Sequence, residues 1–179
     1  MKKRLAICLS MILMGISVLT GCGANYGDAV YECSSDNIWG FEGAYIDSEN
    51  TLTIKFDKKH NASDNYGIGF GNVFESGEYD DFDKIVLLKE DYRAYVVKME
   101  DVKIDTKNHT FSFTLEDMDV SEIKDIHIIN GLMYFDVDIV ENTMIASVYE
   151  ENRIDCTEYT QTYDPDRKAW SEVETMSNF

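Results

Sequence analysis

Ile126-His127-Ile128-Ile129-Asn130-Gly131-Leu132-Met133-Tyr134-Phe135-Asp136-Val137-Asp138 is the stretch on which the fold turns. Two runs rich in β-branched and aromatic residues flank one Asn-Gly pair. Asn-Gly tolerates the positive φ that both central residues of a type I′ turn require, and that turn matches the twist of paired strands. The stretch predicts a hairpin, residues 126–129 against 132–140, turning at Asn130-Gly131. His127 alternates with the isoleucines, so it faces solvent or a satisfied polar site rather than the core.

The same period of two recurs on both sides of the hairpin. In residues 51–56, Leu52, Ile54 and Phe56 alternate with Thr51, Thr53 and Lys55, the pattern of a half-buried strand. His109, Phe111, Phe113 and Leu115 share one face of a later strand, opposite Thr110, Ser112 and Thr114. Residues 85–88 are continuously apolar and predict a strand buried on both faces, with a short helix as the alternative. Residues 92–104 predict a long strand bent near Glu100-Asp101, followed by a turn at Asp105-Thr106-Lys107-Asn108. Further strands are expected at 144–149, 154–163 and 169–174. Asp119 and Glu122 have capping-box spacing and mark the one helical turn expected after the N-terminal segment. The lone proline, Pro165, falls in a turn, where it removes no ladder hydrogen bond.

Nine or ten strands joined by short turns make an all-β antiparallel meander. At this length it forms a closed barrel or a two-sheet sandwich. The barrel is the expected form, because a meander that pairs its ends leaves no exposed edge.

The chain has 179 residues, with 34 acidic side chains against 16 basic ones and a net charge of −18. That surface repels phosphate and forfeits counterion release, which argues against a nucleic-acid partner. The charge is unevenly placed. Residues 1–21 hold Lys2, Lys3 and Arg4, no acid, and an apolar run over 5–19. A basic start followed by a short apolar run is a secretory signal peptide, and the run is short for a bilayer span of about 20 residues.

That segment ends in Leu19-Thr20-Gly21-Cys22, which resembles the lipobox of bacterial lipoproteins. The resemblance implies that Leu19, Thr20 and Gly21 form the signal-peptidase site. It also implies that the Cys22 sulfur receives a diacylglycerol and that Cys22 becomes the first residue of the mature protein. Two or more acyl chains anchor stably where a single chain does not. The expected organisation is a signal peptide over 1–21, a lipidated N-terminus and short tether over 22–30, and one β domain over 31–179. The expected location is extracytoplasmic, held to the cell membrane by its lipid. The domain's acidity should keep its folded face off anionic headgroups.

A second resemblance concerns the domain. Ile38-Trp39-Gly40-Phe41-Glu42-Gly43-Ala44-Tyr45, followed by Thr51-Leu52-Thr53-Ile54, is similar to the opening of bacterial lipocalin-like domains, although Trp39 here precedes Gly40. The resemblance implies a barrel with an aromatic plug at one end.

Candidate chemistry is sparse. Cys33 and Cys156 are the cysteines left in the β domain, and export permits a disulfide between them. Two separate buried thiols are the alternative. Gly67-Ile68-Gly69-Phe70-Gly71 would give one strand face a strip without side chains. The acidic groups Asp80-Asp81-Phe82-Asp83, Glu116-Asp117-Met118-Asp119 and Asp136-Val137-Asp138 lack the spacing of a calcium loop and read as solvated turns and strand faces. His60, His109 and His127 are scattered, with no metal-ligand spacing. No nucleophile motif, cofactor motif or metal site is expected.

The function that follows is non-catalytic binding. It would take either a small apolar or amphipathic ligand inside the barrel or a partner on the surface. The alternative is an envelope interaction, assembly or inhibitor protein without a cavity ligand. A cavity ligand needs an empty interior. A surface partner needs a filled core and exposed apolar side chains.

Overall fold

A computed structural model of the protein describes residues 24–58, 74 and 82–178. These form thirteen strands: β1 (Asp28–Glu32), β2 (Phe41–Ile46), β3 (Thr51–Phe56), β4 (Phe82–Lys89), β5 (Ala94–Lys98), β6 (Lys103–Asp105), β7 (Thr110–Thr114), β8 (Ile123–Asn130), β9 (Met133–Asp138), β10 (Thr143–Tyr149), β11 (Cys156–Asp164), β12 (Ala169–Trp170) and β13 (Glu174–Asn178). One sheet has the order β1-β2-β3-β7-β6. The other has the order β12-β11-β10-β9-β8-β4-β5, with β13 also paired to β11. Every pairing is antiparallel.

The expected all-β class holds, but the preferred closed barrel does not form among the described residues. The two sheets stay open, as in the sandwich alternative. The reason is connectivity. The chain leaves the first sheet after β3, builds the β4–β5 hairpin in the second, returns for β6 and β7, and then completes the second with β8–β13. Consecutive strands therefore often lie in different layers, and no single meander is left to curl onto itself. The lipocalin-like opening does not produce the barrel it implies. Trp39 is nevertheless 2% exposed and packs edge-on against Phe135, with ring centroids 5.1 Å apart.

The crossing from β5 to β6 is the bend expected near Glu100-Asp101. A single 3₁₀ turn at Met99–Asp101 makes it, closed by the Val102 N–H on the Met99 carbonyl at 3.1 Å. The expected turn after β6 is held by Asp105, whose Oδ1 accepts from the Lys107 and Asn108 N–H groups.

The alternating patterns place the core. Leu52, Ile54 and Phe56 of β3 and Phe111 and Phe113 of β7 point inward from one sheet. Ile85, Leu87, Ile126, Ile128, Phe135, Val137, Met144 and Ala146 point inward from the other, and each is at most 3% exposed. A fully buried side chain of this kind contributes about 1.5–3 kcal/mol. Phe56 meets Phe41 and Phe111 edge-on, at centroid separations of 5.9 and 5.7 Å. The interior is thus occupied by interlocking rings and branched aliphatics.

Three local expectations shift. Asn130 pairs with Met133, so the hairpin's central residues are Gly131 and Leu132, not Asn130-Gly131. Only Gly131 has positive φ, at 52°, which is the type II′ pattern. Asn130 is instead the last residue of β8, buried and also opposite Phe82. Of residues 85–88, Ile85 and Leu87 are fully buried, whereas Val86 and Leu88 face the outer side and are half-buried. The strand expected over 169–174 divides into β12 and β13, which cover successive parts of the same edge of β11.

Candidate functional site

Register fixes what the outer face of the larger sheet displays. Asp125 of β8 lies opposite Asp138 of β9, and His127 opposite Asp136. Their neighbours Ile126, Ile128, Phe135 and Val137 point inward, so these four polar side chains share the outer face. They are central in a wide sheet and largely covered: Asp125 is 5% exposed and His127 is 9% exposed.

The polar cluster is tightly arranged. The Tyr134 Oη lies 2.5 Å from His127 Nδ1, and Asp136 Oδ1 lies 3.3 Å from the same nitrogen. Burial pushes His127 down, which favours the neutral ring, and its Nδ1 forms one hydrogen bond with the Tyr134 hydroxyl. Asp136 Oδ1 is buried without an aligned hydrogen bond. Burial first, and then the Asp125 and Asp138 carboxylates, push Asp136 up to about 7. Burial and Asp138 push Asp125 up to about 6. Among the described residues Lys124 is the cation beside them, 3.7 Å from Asp138 and 3.9 Å from Asp125. Those two carboxylates hold it protonated above its usual range. Burial beside like charges thus favours the protonated forms of Asp125 and Asp136. Among the described residues no group of three or more His, Cys, Asp or Glu is disposed to hold a metal.

The hairpin end of the same sheet is different. A surface hollow of about 230 Å³ lies between Ile129, Leu132, Met133, Tyr134, Tyr149 and Arg153. A second, of about 150 Å³, lies over β11 and β13 between Cys156, Glu158, Met176 and Asn178. Tyr149, Ile154 and Met176 are 38, 76 and 69% exposed. The turn after β10 fixes Arg153. Its N–H bonds the Glu150 carbonyl at 2.8 Å, its φ is 56°, and Asn152 Oδ1 accepts from the next two N–H groups. Sequence reading missed this end, because its apolar residues come from four strands and two turns. Leu132 and Ile154, apolar residues next to turn residues, were the available signal.

The nominated residues are scattered. Leu19, Thr20, Gly21 and Cys22 lie outside the described residues, as do His60, Gly67-Ile68-Gly69-Phe70-Gly71 and Asp80-Asp81. Cys33 and Cys156 are both free. The expected bridge is not formed, and the strand geometry explains why. Cys33 lies beside Tyr163 and Pro165 at one end of β11, whereas Cys156 begins that strand. Seven residues of extended chain separate Tyr163 from Cys156, about 23 Å, whereas a disulfide needs Cα atoms within about 7 Å. Burial pushes the Cys33 thiol up to about 12, and its Sγ lies 3.4 Å from the Phe41 carbonyl. His109 is buried and stacks on Phe74 at 4.7 Å, a packing role. Glu116, Asp117 and Asp119 are exposed around buried Met118.

No protein-family model matches the chain, and neither a curated protein nor a solved structure resembles it significantly. Function must therefore be argued from these surfaces alone.

Proposed function

We propose that this is a lipid-anchored extracytoplasmic protein whose β domain binds a partner at its surface, without catalysis and without an internal ligand. The N-terminal segment and Leu19-Thr20-Gly21-Cys22 support the anchor and the location. One observation carries the choice between an internal ligand and a surface partner. Among the described residues the inner faces of both sheets are filled by packed side chains, with Leu52, Ile54, Phe56, Phe111, Ile85, Leu87, Ile126 and Met144 each at most 1% exposed, while the apolar hollows open at the hairpin end. An interior ligand site needs a few hundred Å³ of unfilled space, and the packed rings occupy that space. Apolar side chains from several strands, left exposed together, are what a recognition surface requires.

The anchor and the domain can be tested separately. Cys22→Ser should move the protein from the membrane fraction to the soluble fraction while the domain keeps its fold and its surface binding. Retention of the variant in membranes would defeat the lipid-anchor reading. A saturable apolar probe that buries itself among Ile54, Phe111 and Ile126 would defeat the surface reading.

A further inference from the structure

The edges of the two sheets are unequally protected. In the smaller sheet, β1 carries a register shift between Ala29 and Tyr31, and β6 has three residues. In the larger sheet, β12 has two residues. Bulges and short strands both discourage pairing with another chain. β5 has neither device. It pairs with β4 over five consecutive residues without a bulge, and it contains no proline. Its inward side chains, Tyr95 and Val97, are uncharged and pack on the core. We infer that β5 of one copy pairs with β5 of a second copy across a two-fold axis, joining two larger sheets into one.

The main chain is disposed for this. Among the described residues β5 pairs on one side only, with β4. The Lys89 N–H bonds the Arg93 carbonyl at 2.9 Å. Bonded and non-bonded pairs alternate along an antiparallel ladder. Leu87 with Tyr95 and Ile85 with Val97 are therefore the bonded pairs. The N–H and C=O groups of Ala94, Val96 and Lys98 point away from β4, toward the free side.

A second copy, turned about an axis through Val96 perpendicular to the sheet, meets those groups with its own. Val96 then lies opposite the second copy's Val96, Lys98 opposite its Ala94, and Tyr95 opposite its Val97. The three pairs made by Ala94, Val96 and Lys98 supply about six main-chain hydrogen bonds. This rotation keeps both outer faces on one side. Val96, 55% exposed in one copy, is covered by its twin, and each stands beside its own Val86. Four valines thus form one cross-strand row, a favourable arrangement of β-branched side chains. On the inner side, Tyr95 and Val97 carry the core across the join.

Charge selects this edge over β13, the other unbulged strand on an edge of the larger sheet. Residues 151–178 hold seven acids and three cations, so two β13 edges repel. Residues 82–98 hold three acids and four cations, close to neutral in a chain of net charge −18. No like charges stand opposite each other in the β5 pairing, because Lys98 meets Ala94. A five-residue contact is smaller than the total of about 1,200 Å² buried in stable complexes, so the dimer is weak. It also closes at two copies, because neither β5 edge is then left free. This surface is separate from the hairpin-end hollows, and its failure would leave the surface-partner reading intact.

The test is sedimentation velocity of the full chain in excess detergent over a concentration series, joined to cysteine crosslinking. The chain should pass from monomer to dimer and no further. Val96→Lys sets two cations opposite each other and should weaken the dimer about tenfold or more. Met176→Lys, on the β13 edge, should leave it unchanged. Opposed bonded residues lie about 5.5 Å apart at Cα, within reach of a disulfide. Val96→Cys should therefore give a linked dimer on mild oxidation, and Met176→Cys should link no more than the unaltered chain. Both positions are exposed, and thermal melts check that the variants fold. The crosslink decides the matter if Val96→Lys does not fold. A chain that stays monomeric, a dimer that survives Val96→Lys, a dimer lost with Met176→Lys, or growth beyond two copies would each overturn the inference. So would Val96→Cys that links no better than Met176→Cys.

Discussion

The two faces of the β8–β9 hairpin are built from the same short stretch of chain and obey opposite rules. Inward, Ile126, Ile128, Phe135 and Val137 are 0–3% exposed and belong to the hydrophobic core. Outward, Asp125, His127, Asp136 and Asp138 are also largely covered, yet hold like charges together with one lysine. The difference teaches that burial alone does not mark a core. The inner face gains from losing water. The outer face loses hydration that its hydrogen bonds and single cation only partly replace.

The largest expected effect is on the inner face. Phe135→Ala removes the ring that Trp39 packs against, and it should cost about 3–5 kcal/mol in denaturant unfolding. A loss below about 1 kcal/mol would mean that the inner face is not the cohesive one.

The outer face should respond in the opposite direction. The folded carboxyls Asp125 and Asp136 titrate at about 6 and about 7, against an ordinary value of 3.8. Between about pH 4 and pH 7 the folded state therefore holds more protons than the unfolded chain. These groups stabilise fully below about pH 4, and that contribution is lost as pH rises through their folded values. Asp136→Asn should stabilise the protein at pH 8 by about 1–3 kcal/mol and flatten the pH dependence between 4 and 7. A melting temperature that is lower at pH 8 and equally pH-dependent would erase the contrast between the faces.

The smallest stability effect belongs to the hairpin end. Ile154→Ser, at a side chain 76% exposed, should change stability by at most about 0.5 kcal/mol. A larger loss in thermal unfolding would show that this end belongs to the packed structure and is not a free surface.

Much of this was legible from residue order. The period of two in residues 51–56 and 109–115 located β3 and β7 and named their buried faces. Asn130-Gly131 located the hairpin, although one residue of register moved the turn to Gly131-Leu132. That shift is invisible locally, because it depends on where β8 meets β4. Sheet closure was not legible either. The pairing of β3 with β7 and of β4 with β8 joins residues far apart in the chain, and no alternation pattern encodes a partner. The cysteines failed for the same reason: export permits a bridge, but only strand length reveals that the two thiols lie at opposite ends of β11. The outer-face cluster was half visible. The alternation of His127 with isoleucines points it to solvent or a satisfied polar site, and it meets the Tyr134 hydroxyl. The opposition of Asp125 to Asp138 needed the register.

The insertion of β4 and β5 between β3 and β7 has a consequence for how the molecule assembles. Thr51–Phe56 cannot find Thr110–Thr114 until more than fifty intervening residues have been brought together. The later strands β8 to β11 need only short loops. Closing a long loop costs entropy before any contact repays it. The C-terminal meander, though made last on the ribosome, should therefore be the first to consolidate. The smaller sheet should wait on it as the slow step, and neither layer could be excised as an independently folding half.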